Sequence, residues 1–210
     1  MKRFVTTYAL LSPYIFVVLY LIIGFATPGY SHLKHTISRL SIGKYGFLES
    51  LNILQFSFGI MTMIFLTREH IKNSKTVRQI SYMLGAIALT LILIAIFPTD
   101  PIDAFPQSML SISWSAITHF AILGLFVLCT PVIVVQLYDA LNQDSHYKDL
   151  APITGVCGYL TFILSIAWFL FFYFGILNQY RGLFQKFIAL IVLFWISKIT
   201  KRIASVTLNK

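Results

Sequence analysis

Residues 89–97 read LTLILIAIF and residues 188–196 read IALIVLFWI. Each run is almost unbroken hydrocarbon, without a charged side chain and without polar and apolar residues in alternation. Followed outward, each belongs to a segment of about 20 mainly apolar residues, the length that crosses a bilayer as a helix. Four further segments behave alike, giving spans at about 8–27, 49–67, 80–97, 114–138, 153–176 and 184–200. A membrane barrel would show weaker segments of about ten residues with period-two polarity. The pattern therefore specifies an all-α fold, a polytopic bundle of six transmembrane helices.

Composition agrees, with 58% hydrophobic and only 11% charged residues, where soluble domains carry about a quarter charged. Six spans and their connections occupy nearly all of the 210 residues, so residues 1–210 read as a single integral membrane domain without a separate soluble catalytic unit. The first apolar run is too long for a signal peptide and lacks a small-residue cleavage site after it. The net charge of +9 would suit nucleic acid, but the basic residues sit at span ends, where they orient a membrane protein. One side holds Lys2, Arg3, Arg68, Lys72, Lys75, Arg78, Lys148, Lys198, Lys201, Arg202 and Lys210, and the other holds Lys34, Arg39, Lys44, Arg181 and Lys186. Eleven against five predicts cytoplasmic termini in a plasma or inner membrane, with outward connections near 28–48, 98–113 and 177–183.

Within the first outward connection, Leu33, Ile37 and Leu40 share one helical arc and His32, His35 and Arg39 another, so residues 31–41 are expected to form a short amphipathic helix lying flat on the membrane. Polar stripes mark two spans. Asn52, Gln55, Gly59 and Thr62 recur on one face of the second, and Thr154, Gly158, Thr161, Ser165 and Trp168 on one face of the fifth. Such faces turn toward protein, because an unpaired polar group in hydrocarbon is costly. The second stripe reads as helix-to-helix packing, whereas Asn52 and Gln55 lie near the outward end and are candidates for lining a site.

Residues able to do chemistry come from separate outward positions. Asp100 and Asp103 follow the third span, His119 lies about one turn inside the fourth, and His32, His35 and Ser38 lie in the first connection. An ionisable residue inside a span is a functional candidate, with Asp100 its expected partner. A carboxylate on one imidazole nitrogen would make the other a general base or metal ligand. His32, His35, His119 and Asp100 are also zinc-ligand types, although no motif of fixed spacing supports a metal. The plainer alternative is that His119 bonds a serine or a backbone carbonyl. Arg39, Arg181 and Lys186 either snorkel to headgroups or form a cradle for an anionic headgroup. Cys129 and Cys157 lack a Cys-x-x-Cys pattern and carry no assigned chemistry. Nucleophile elbow, phosphate-loop and dinucleotide motifs are missing from the sequence.

The runs Pro28-Gly29-Tyr30-Ser31-His32, Thr36-Ile37-Ser38-Arg39-Leu40-Ser41, Asn52, Phe97-Pro98-Thr99-Asp100-Pro101, His119 and Gly182-Leu183-Phe184-Gln185-Lys186 together resemble a prokaryotic six-helix membrane family, domain of unknown function 998, over nearly the whole chain. Lys186 stands where that family is expected to have arginine. The Ile-Ser-x-Leu loop followed by Asn52 also looks remotely like the Frag/DRAM/Sfk membrane proteins, some of which are tied to lipid-anchor remodelling. The first resemblance implies a prokaryotic membrane protein, and the remote one, a fold-level analogy, lends a small push toward lipids.

The leading expectation is an outward polar site that recognises or modifies a lipid or lipid-linked headgroup. In it His119 and Asp100 act as the catalytic pair, His32, His35, Ser38, Asn52 and Asp103 are auxiliary, and Arg39 with Arg181 holds anionic oxygens. The alternative is a non-enzymatic scaffold or a small-solute transporter. A proton-coupled carrier would place acids deep within the spans, and the sequence has none at mid-membrane.

Overall fold

The computed structural model describes residues 2–70, 75–100 and 112–208; Asp103 lies outside them. Its long helices are α1 (Lys2–Ala26), α2 (Gly46–His70), α3 (Lys75–Ile96), α4 (Trp114–Asn142), α5 (Ala151–Tyr173) and α6 (Arg181–Leu208). All six are long and apolar enough to cross a membrane, and the described residues contain no strand. A helix satisfies its own amides and carbonyls, which hydrocarbon demands. Most of the helices overrun the expected spans at one or both ends, because backbone pairing continues into the interfacial region after the hydrophobic side chains stop, whereas α5 ends at Tyr173, short of the expected 176.

Successive helices pack on one another, and α6 returns to α1 and α2, closing the bundle. Small residues set the closest approaches. A Cβ on Gly59 would fall 1.9 Å from Ser12 Oγ of α1, and one on Gly158 would fall 2.3 Å from a Val134 methyl of α4. The α2 stripe is mainly α1 contact: Asn52 Nδ2 donates to the Phe16 carbonyl (3.1 Å), Gln55 Nε2 to the Ser12 carbonyl (3.3 Å), and Tyr8 Oη to the Gln55 carbonyl (2.7 Å). In the α5 stripe Thr154 accepts from Trp195 Nε1 of α6 at 3.0 Å. These side chains lace helices whose apolar faces have little preference between protein and lipid.

The α1–α2 connection departs from the expected surface helix. Turns lead into a 3-10 helix, Ile37–Ile42, about half the expected length, and it tucks inward instead of lying flat. Leu40 is fully buried and Ile37 nearly so, while Leu33 stays exposed. The physical reason is that α6 supplies partners for this segment's backbone, which a continuous helix would have consumed internally.

Candidate functional site

The start of α6 gathers the first connection. Lys186 Nζ donates to the carbonyls of His35 (2.7 Å), His32 (3.0 Å) and Gly182 (3.4 Å), and lies 5.3 Å from the centre of the Tyr30 ring. Gln185 Oε1 accepts from the Ile37 amide at 2.7 Å. The Leu183 amide donates to the Leu33 carbonyl at 2.9 Å. Gly182 makes the approach feasible, since a Cβ there would lie 2.0 Å from the His35 carbonyl oxygen. The result brings Arg39 of the 3-10 helix to the same cavity as Arg181 of α6.

Arg181 is itself held. Its guanidinium carbon lies 4.9 Å from the centre of the Phe172 ring, and Phe172 stacks on Trp168 at 5.8 Å. The indole Nε1 of Trp168 donates to the Arg181 carbonyl at 3.1 Å. An aromatic face under a guanidinium fixes its plane.

Among the residues expected at the site, His119, Asp100, Ser38, Arg39 and Arg181 line one polar cavity of about 30 Å³, together with Thr36, Thr99, Trp168 and Gln185. The pairing inside it differs from the expected one. His119, 1% exposed, has its Nδ1 2.8 Å from the Phe97 carbonyl. Phe97 directly follows α3, and the amide that would take its carbonyl in a continuing helix belongs to position 101, which is proline and has no N–H. A carbonyl only accepts, so Nδ1 carries the hydrogen of the neutral ring and Nε2 is the basic nitrogen. Phe97 thus does the orienting expected of Asp100.

Asp100 instead serves the start of α4. Its carboxylate accepts from the Ser113 amide (2.5 Å) and hydroxyl (2.8 Å), while Ser113 Oγ accepts from the Ala116 amide as the N-cap. A negative charge at a helix N-terminus is favourable. Replacing Ser113 by Ala removes the cap and one carboxylate partner, and should lower stability by about 1 kcal/mol, read as a lower unfolding temperature in detergent.

His32, His35 and Asn52 do not line this cavity. His32 packs among the rings of Phe25, Tyr30 and Tyr20 at 4.5, 5.1 and 6.5 Å. Burial, followed by the nearby Lys186 charge, pushes its pKa below the ordinary histidine value, so it is a neutral packing group and not half of a solvated pair. His35 Nδ1 accepts from the Ser31 amide at 3.0 Å. Among the described residues, no three His, Cys, Asp or Glu side chains converge as a zinc site would need. Lys186 is buried and donates to carbonyls, and it does not line this cavity, whereas Arg39 and Arg181 do. Cys129 and Cys157 are both free thiols.

Sequence reasoning missed the platform formed by Trp168 and Phe172, and it missed Glu49. The carboxyl of Glu49 is fully buried, and neither oxygen meets a donor at hydrogen-bond geometry among the described residues. Glu49 stands three residues before Asn52, on the face already marked as polar, which was the available signal. Trp168 ends the α5 stripe and carried a comparable one.

Two apolar spaces adjoin the polar cavity. One, about 220 Å³, lies within the bundle and shares Ser38, His119, Leu123 and Gln185 with it. The other, about 390 Å³, runs between α4, α5 and α6 and shares Phe120, Leu123, Trp168 and Gln185. The arrangement is a small polar space with hydrocarbon-lined ones beside it. The family model described as "Protein of unknown function (DUF998)" matches residues 10–200. No curated protein and no solved structure matches the chain.

Proposed function

The chain belongs to the DUF998 family, whose function is unknown, and for it we propose recognition or modification of the anionic headgroup of a membrane lipid or lipid-linked molecule. The polar end of the bundle faces the outer leaflet of a prokaryotic plasma or inner membrane, and both termini are cytoplasmic. The observation that carries this reading is that Arg39 and Arg181 line one cavity. Two guanidinium groups from separate elements suit the tetrahedral oxygens of a phosphate, each able to bind two of them.

Apolar space beneath the charge supports an amphiphile over a soluble anion. His119 Nε2, the basic nitrogen of an imidazole anchored through Nδ1, is the group that would accept a proton if the headgroup is modified. A scaffold needs no interior space of this kind.

The test is lipid mass spectrometry on purified wild type, Arg39→Ala and Arg181→Ala. Hydrogen bonds to a charged group contribute about 1.5–3 kcal/mol, so each variant should retain roughly 10- to 100-fold less anionic lipid while remaining folded. An unchanged lipid profile in both variants would defeat the reading and favour the scaffold or small-solute carrier.

A further inference from the structure

Glu49 lies in the first turn of α2, where an acid ordinarily reaches water. Here it is fully buried. The first connection closes over that turn, and Gly46 permits the approach, since a Cβ there would fall 2.1 Å from the Ser41 carbonyl oxygen. The charge of Glu49 reaches Tyr20 of α1 and Tyr30 of the connection, and Asn52 stands beside it three residues along α2. Lys186 of α6 and His32 pack on Tyr30 in turn. Residues 89–96, the last turns of α3, contain no ionisable side chain. None of these residues lines the polar cavity of Arg39 and Arg181.

The donors around the carboxyl are engaged elsewhere. An ammonium has three hydrogens, and Lys186 directs its own to the carbonyls of His35, His32 and Gly182. The Tyr30 hydroxyl donates to the carbonyls of Thr36 (3.0 Å) and His35 (3.2 Å), and Asn52 Nδ2 donates to that of Phe16. Among the described residues, both Glu49 oxygens and both ring nitrogens of His32 are buried without a hydrogen-bond partner. An ionised carboxylate so placed would be a buried charge with neither ion pair nor hydrogen bond, and such a group takes up a proton instead. The dipole of α2 favours the charged form, but by much less than desolvation opposes it.

We propose that Glu49 is a proton-binding site and that its proton keeps the first connection docked on α6. When the proton passes to solvent, the carboxylate draws Lys186, the buried cation beside the same tyrosine. The carbonyls of His32 and His35 then lose that donor, and the connection lifts. The docked state binds one proton more than the lifted state, so docking weakens as pH rises.

The chain has two glutamates, and Glu69→Gln leaves Glu49 as the only one. With glutamate isotope-labelled at its side-chain carboxyl, infrared spectra of that protein at neutral pH should show the carbonyl band of a protonated acid. Raising the pH should replace it by carboxylate bands. Carboxylate bands alone at neutral pH would overturn the proposal.

Trypsin reports the coupling. Cleavage of wild type at Lys34 and Arg39, taken relative to the exposed Lys148 of the same molecule, should rise as Glu49 ionises by up to about tenfold per pH unit, the slope of one released proton. In Glu49→Gln, which has no proton to lose there, the ratio should stay level. A wild-type ratio that does not change with pH would sink the coupling, as would a Glu49→Gln ratio that rises like that of wild type.

Discussion

Gly182→Ala should be among the most damaging single-methyl additions in this chain, lowering stability by about 3 kcal/mol, the upper part of the usual range for overpacking. The added Cβ would lie 2.0 Å from the His35 carbonyl oxygen, 2.6 Å from its carbon and 2.8 Å from its nitrogen. These are backbone atoms, so no rotamer change relieves the clash. The connection must lift from α6, and the His35 carbonyl leaves Lys186. Arg39 moves with the same segment, so anionic lipid retention should fall too. Gly85→Ala is the control, because its Cβ meets open space and alanine favours a helix interior over glycine by about 1 kcal/mol. Thermal unfolding of the two variants in one detergent should give shifts of opposite sign; a Gly182→Ala protein as stable as wild type would mean that the close approach is not required.

The helices were legible because hydrocarbon leaves the backbone few choices. A run such as residues 89–97 has one inexpensive structure in a bilayer, and its length states how far that structure extends. The stripe through Asn52, Gln55 and Gly59 was legible as a protein-facing side for the same reason, and its partner proved to be α1. Residues 31–41 were not legible in detail. Their apolar periodicity was real, as Ile37 and Leu40 are buried, but periodicity says nothing about backbone partners such as Lys186 and Gln185, contributed from the far end of the chain.

At the site, residue types were easier to read than pairings. His119, Asp100, Ser38, Arg39 and Arg181 do share a cavity, because their elements end on the same side of the bundle. The expected bond between His119 and Asp100 overlooked two nearer obligations. Pro101 leaves the Phe97 carbonyl without its helical amide, and the first turn of α4 draws a carboxylate to Ser113. Both obligations were written in the sequence as helix-end chemistry. Glu49 was passed over because it opens the second apolar run, where a terminal acid ordinarily reads as solvated.

Lys186→Met tests the other half of the contact that Gly182 permits. Methionine replaces much of the apolar stem but donates nothing, so the carbonyls of His32 and His35 lose their ammonium partner at a buried position. The His35 carbonyl still accepts from Tyr30 Oη at 3.2 Å, so the penalty falls chiefly on the His32 carbonyl, and a buried polar group left unsatisfied costs about 1–3 kcal/mol. Lys186→Arg keeps the charge, several donors and the contact with the Tyr30 ring, and should recover most of that loss. The electrostatic account thus predicts the order wild type, Arg, Met in unfolding temperature, whereas a volume effect would favour the slender methionine over the bulkier arginine. Proteolysis separates local from global damage. If Lys186 ties the first connection to α6, Lys186→Met should expose cleavage at Lys34 or Arg39 under conditions where the transmembrane helices remain intact. Protection at these positions equal to that of wild type, together with an unchanged unfolding temperature, would show that Gln185 and the Leu183 amide hold the segment without Lys186.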